Sequence, residues 1–169
     1  MNDQTNNTRP ALRPYLAFYH ANAKGTGCAA KFELHPAHGA VEGYVSVSMA
    51  NQRTAEHIPS FDWDDSINLK LSFADVCEFL RVFRGETESV ADGRGQFHRT
   101  PAANIRVHLR HVVEPVYCYS LEVYERRFSD SEERRVCIVL TSAEATGLCL
   151  ALEHSMSLLA FGVPEKGAN

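Results

Sequence analysis

With 169 residues, 44% hydrophobic and 22% charged, the chain is long enough for one domain with a real core and too short for two ordinary ones. That balance excludes extensive disorder. The 17 Lys and Arg against 21 Asp and Glu, a net charge of −4, exclude a protein that grips duplex DNA over its whole surface. A nucleic-acid partner would have to meet basic residues gathered on one face, with eight histidines adding charge at mildly acid pH.

Taken in chain order, residues 1–14 are polar and rich in Asn, and are expected to be a flexible segment. Strands are predicted over 15–20, 30–35, 44–50 and 67–71, punctuated by Lys24-Gly25-Thr26-Gly27 and by His35-Pro36. A helix over 72–83 follows, opened by Ser72 with Asp75 as a capping box and stopped by Gly85. The plan then repeats: strands over 96–99, 104–111, 119–126 and 135–140, and a helix opened by Thr141 with Glu144 and ended by Gly162. The expected architecture is therefore α+β, two β-β-β-β-α repeats (about 15–85 and 94–162) in a single domain spanning 15–163. Residues 164–169 form a flexible tail.

Period-two alternation assigns faces. In Ile105-Arg106-Val107-His108-Leu109-Arg110 the apolar members point one way and Arg106, His108 and Arg110 the other. Asn68 and Lys70 alternate likewise with Ile67, Leu69 and Leu71, and Lys31, Glu33 and His35 with Phe32 and Leu34. Antiparallel sheets with one dry face packed on helices and one wet, partly basic face follow. Both helices are apolar around more of their circumference than one sheet covers, which points to a homo-oligomer.

No apolar run reaches membrane-spanning length, and no hydrophobic stretch precedes a small-residue cleavage site, so a cytoplasmic protein is expected. Cys28, Cys77, Cys118, Cys137 and Cys149 are scattered without a Cys-x-x-Cys pair and read as reduced, mostly buried thiols. His108 and His111 are three apart on a strand and face opposite ways. His35 and His38 share a turn but have no acidic or thiol partner in register, so no metal is expected. Gly25 and Gly27 lack the Lys-Ser/Thr of a phosphate loop, no carboxylate pair is poised for acid–base work, and Cys77 and Cys149 lie on apolar helix faces. An enzyme and a cofactor are therefore not expected.

Several motifs carry a family resemblance. Phe61-Asp62-Trp63 followed by Leu69-Lys70-Leu71-Ser72-Phe73 resembles the Tyr-Asp-Trp and Ser-Leu-Ser-Val that lead into the first helix of the Whirly family. Glu86-Thr87-Glu88-Ser89, with Phe97-His98 and Pro101, is similar to that family's Glu-Ser-Cys-Glu-Phe-Phe-His-Asp-Pro stretch, and Lys24-Gly25 with Ala29-Ala30 to its Lys-Gly-Lys-Ala-Ala-Leu signature. The order of elements matches over residues 15–162. The signature departs here, with extra residues and no second lysine, in the segment that the family uses to assemble tetramers further.

The resemblance implies a binder of single-stranded DNA, with RNA as an open alternative, acting in DNA protection, repair or transcription regulation. It also implies a homotetramer with helices at the centre, sheets as blades, and bases stacked on aromatic rings. The residues expected to contact nucleic acid are Arg106, His108 and Arg110, supported by Lys24, Lys31, Lys70, Arg94 and Arg99, with Trp63 and Tyr124 as stacking rings. Tyr19, Tyr44, Phe61 and Tyr119 are further candidates for an exposed face, about half of such rings being reserved for packing. The alternative is an oligomeric interaction scaffold of the same fold without nucleic-acid binding, favoured by the acidic net charge.

Overall fold

The computed structural model describes residues 14–54 and 58–164. The flexible ends expected at 1–14 and 164–169 lie outside the described residues except for Pro14 and Pro164. The first half comprises β1 (Tyr15–His20), β2 (Cys28–His35), β3 (Tyr44–Thr54), β4 (Ser60–Phe61), β5 (Ile67–Leu71) and α1 (Phe73–Phe83). The second comprises β6 (Gln96–Arg99), β7 (Ala103–Val112), β8 (Cys118–Arg127), β9 (Glu133–Thr141) and α2 (Ser142–Phe161).

Each expected strand and helix is present. Among the described residues the added strand is β4, two residues paired to β3 where the register shifts between Gln52 and Thr54, and short 3-10 turns form over Trp63–Asp65 and Val90–Gly93. A two-residue strand carries no alternation, so the sequence offered no signal for it. Every pairing is antiparallel: β1-β2-β3-β5 in the first sheet, with β4 also on β3, and β6-β7-β8-β9 in the second. Two meanders, each closed by a helix, make the α+β architecture.

Local chemistry explains the helix ends. Ser72 and Thr141 each accept from the backbone N–H three residues on, while Asp75 and Glu144 reach back to the cap backbone, satisfying donors that a helix start leaves orphaned. After α1 the chain turns at Gly85, whose φ of +72° suits glycine, and Glu86 N–H donates to Arg81 O as the helix closes. After α2, Gly162 has a φ of +73°, and a Cβ there would lie 2.1 Å from Ala37 O.

Alternation becomes packing as expected. Ile105, Val107 and Leu109 are buried, as are Ile67, Leu69 and Leu71, and they join Val76, Phe79, Leu148 and Leu152 of the helices in one continuous core. Each fully buried Leu, Ile or Phe contributes about 1.5–3 kcal/mol of transfer free energy, which fixes the register of each strand against a one-residue slip. α1 lies against α2, β5 and β7, and α2 against β2, β8 and β9, so the helices cover the inner faces of both sheets. Cys28 is buried; Cys77 and Cys149, expected in the core, are half-buried on the helix flanks.

Polar ties join the two halves. Arg84, which caps the end of α1, donates to Glu153 of α2 at 2.9 and 3.0 Å, and His20 at the end of β1 meets Glu144 of α2 at 2.8 Å. Asp65 receives Arg127 and Arg134 of the second sheet, each at 3.0 Å, and both arginines also bind the buried Glu125. The turn of 3-10 helix over Trp63–Asp65 is thereby anchored to the β8–β9 hairpin.

Candidate nucleic-acid interface

The outer face of the first sheet is built by the residues that alternate with its core. Tyr15 and Tyr19 of β1 stand beside Lys31 of β2, because Ala17 pairs with Lys31 and Tyr15 with Glu33. β4 and the turn after it bring Phe61 and Trp63 together with Tyr19. Ring centroids of Tyr19, Phe61 and Trp63 are 5.6, 6.4 and 6.5 Å apart, and the Lys31 ammonium lies 5.3 Å from the Tyr15 ring and 5.9 Å from that of Trp63. Tyr15 and Tyr19 are each about half exposed. Partial burial raises the Tyr19 phenol above its ordinary value, helped by the neighbouring Tyr15 hydroxyl. Lys31 also meets Glu33 at 2.8 Å, so part of its charge is spent within the sheet.

Further along the face, Ser46, Ser48, Asn68 and Lys70 stand in register across β3 and β5. The Lys70 ammonium sits 4.4 Å from the Tyr44 ring, on which His35 stacks at 4.3 Å. Beyond β5 opens a groove of about 420 Å³, walled on one side by Ser46, Ser48, Asn68 and Lys70 and on the other by His98, Arg99, Thr100 and Pro101. The groove joins two residues expected separately, Lys70 and Arg99. The Arg99 guanidinium also lies 5.7 Å from the exposed Phe128 ring.

The outer face of the second sheet holds the remaining central candidates. Arg106, His108 and Arg110 of β7 face outward and pair across β8 with Tyr124, Glu122 and Ser120. The buried Glu122 carboxylate accepts from Arg110 at 2.5 Å, Tyr124 at 2.6 Å, Arg135 at 3.0 Å and Ser120 at 3.1 Å. Burial alone pushes this carboxyl up; the hydrogen bonds from Tyr124, Arg110, Ser120 and Arg135 overcome that and hold it at about 2. Arg106 and Arg135 lie 5.3 and 5.8 Å from the Tyr124 ring, and Arg106 meets Glu133 at 3.8 Å. Partial burial and the adjacent Arg106 lower His108 below its ordinary value, so its ring is neutral at physiological pH. The arginines here are thus partly neutralised by Glu122 and Glu133, whereas their side chains remain about half exposed.

Lys24 and Arg94 stand apart from both groups. Lys24 is exposed in the turn between β1 and β2, where its backbone N–H donates to Asn22 Oδ1, and Arg94 is exposed in the turn before β6, donating to Ala91 O. Tyr119, a candidate for the exposed faces, is a core residue: it is 5% exposed, stacked on His111 and tilted against Phe83. Alternation along β8 puts Tyr119 on the inward face with Leu121 and Val123, opposite Ser120, Glu122 and Tyr124. Tyr15, Ser48 and Arg135 join the surfaces without having been expected there, although alternation with Leu16, Val47 and Val136 marks each as outward-facing.

Solved structures share this arrangement. WHY3 from Arabidopsis thaliana superposes with a TM-score of 0.73 over 91% of this chain and 92% of its own, at 16% identity. The plant transcriptional regulator PBF-2 matches with a TM-score of 0.71 over 89% of this chain and 84% of its own, also at 16% identity. The chain has a Whirly-like fold. A guide-RNA-binding protein complex bound to a guide RNA shares the frame at a TM-score of 0.61 and 14% identity, over 86% of this chain and 91% of its own. No family model matches the chain, and no curated protein matches it in sequence. In the Whirly-like frame of this chain, the helices occupy the inner side and the two outer faces carry the rings and cations described above.

Proposed function

We propose that the chain is a non-catalytic, sequence-tolerant binder of single-stranded nucleic acid that works as a homo-oligomer. The observation that carries this reading is the outer face of the first sheet. It combines the cluster of Tyr19, Phe61 and Trp63 around Lys31 with a groove flanked by Lys70 and Arg99. Rings that stack bases and cations that meet phosphates are what a single strand requires, and neither depends on base identity. The second sheet, with Arg106, Arg110 and Arg135 around Tyr124, extends the surface. The solved structures of similar fold include a plant transcriptional regulator and a guide-RNA-bound complex, which supports DNA as ligand and keeps RNA beside it.

The helices support oligomerisation. Phe73 of α1 and Leu150 and Phe161 of α2 are 43%, 51% and 88% exposed. Covering such a patch with a second copy removes apolar area from water, and a tetramer is the assembly proposed. Protection of exposed strands in repair, or action at melted promoters in the cytoplasm, is the role that fits such a binder.

Fluorescence polarisation with labelled single-stranded and duplex oligonucleotides across a salt series tests the reading. Single strands should bind more tightly than duplex of equal length, and binding should weaken with salt as phosphate contacts release counterions. Absence of single-strand binding at low salt would overturn it and favour a scaffold.

A further inference from the structure

Hydrogen-bond direction in the groove beside β5 gives it a chemical preference that stacking and charge do not. Asn68 Nδ2 donates to Ser66 O at 3.2 Å and to Ser66 Oγ at 3.0 Å. Ser66 Oγ in turn gives its own hydrogen to Trp63 O at 2.8 Å. Both chains of donors end on backbone carbonyls, which only accept, so the orientation of the Asn68 amide is set: nitrogen toward Ser66, oxygen toward β3. On that side Ser48 Oγ donates to Asn68 Oδ1 at 2.6 Å. The Ser48 hydrogen is therefore used within the pair, and the Asn68 amide nitrogen is turned away from it toward Ser66. What remains at the groove wall is two adjacent oxygens with lone pairs, and among the described residues no donor is directed at Ser48 Oγ.

We infer that the Ser48–Asn68 pair is a base-reading site that selects guanine from a single strand lying in the groove. Guanine alone among the common bases presents an N–H and an amino group side by side on its Watson–Crick edge, a double donor that fits two neighbouring acceptors. Thymine and uracil offer one N–H flanked by carbonyls, which face the acceptor pair with like polarity. Adenine and cytosine offer one amino group beside a ring acceptor. Lys70, two residues from Asn68 on the same face, and Arg99 across the groove are placed to meet the phosphate or the guanine O6. The proposal rests on the single-strand reading above and refines it: the chain tolerates most sequence and reads one base per groove.

The test is polarisation with an oligothymidylate, the same strand with one internal guanine, and the same strand with inosine in its place. The guanine strand should bind about tenfold more tightly than oligothymidylate, and inosine, which lacks the 2-amino group, should lose roughly threefold of that gain. Ser48→Ala and Asn68→Ala should each abolish the preference, bringing the affinities for the guanine and thymine strands together, with circular dichroism confirming the fold. Equal binding of guanine and thymine strands by the parent protein overturns the base-reading site and leaves the single-strand reading standing. A guanine preference that survives in both variants also overturns it, because the base is then read elsewhere. Failure of every oligonucleotide to bind overturns both readings together.

Discussion

Glu122→Gln probes both the stability of the second sheet and the part its outer face plays in binding. The carboxylate is 5% exposed and is held at about 2, against 4.5 for an ordinary glutamate, by Tyr124, Arg110, Ser120 and Arg135. A depression of that size corresponds at neutral pH to roughly 3 kcal/mol of stability. Arg110 and Arg135 are themselves 52% and 53% exposed, so solvent screens their share and about 2 kcal/mol is the expected loss. For a chain of this length that lowers Tm by roughly 4–8 °C at pH 7 and fixed protein concentration. The folded pKa lies below the unfolded one, so the contribution is complete above about 4.5 and is lost as the pH falls toward 2. The gap between the thermal melts of parent and variant should therefore narrow by about half between pH 7 and pH 3. Equal Tm values at pH 7, or a gap that persists undiminished in acid, would refute the reasoning. The substitution also releases Arg110 and Arg135 from their shared carboxylate. If a strand crosses this face, the variant should bind more tightly and with a steeper salt slope; a strand confined to the first sheet would leave both unchanged.

The paired arginines make the expected cost of Arg106→Ala and Arg110→Ala unequal: within about half a kcal/mol for Arg106, whose partner is exposed, and roughly 1 kcal/mol for Arg110, which leaves the buried Glu122 one donor short. The double variant should lower the salt slope by about one unit per lost phosphate contact, and an unchanged slope would remove the second sheet from the binding surface. Trp63→Ala should cost roughly 1–3 kcal/mol of single-strand affinity with little change in slope. A fall in Tm without any fall in affinity would instead mark the ring as packing for Tyr19 and Phe61. Leu150→Glu, on the exposed flank of α2, should reduce the mass measured by light scattering at micromolar concentration, and an unaltered mass would exclude that flank from the interface.

The strands and helices of this chain were legible in the sequence because their signals are local. Period-two alternation in Ile67–Leu71 and along β7 states which side chains point out, and Ser72 with Asp75 or Thr141 with Glu144 satisfies helix donors within four residues. The tight turns and capped helices made two similar halves recognisable at slight identity. Outward direction, however, says nothing about who stands opposite. Arg110 reads as a bare cation on its own strand, yet it spends much of its charge on Glu122, twelve residues away on the neighbouring strand. Tyr119 shares the inward face of β8 with Leu121 and Val123, and what buries it, the stacked His111 ring and the tilted Phe83 ring, comes from β7 and α1. The groove between Lys70 and Arg99, the fan of rings over Lys31 and the direction of the Ser48–Asn68 hydrogen bond all depend on strand register and on the packing of one sheet edge beside another. Those are long-range pairings, selected by the burial of a common core, and no window of sequence contains both partners.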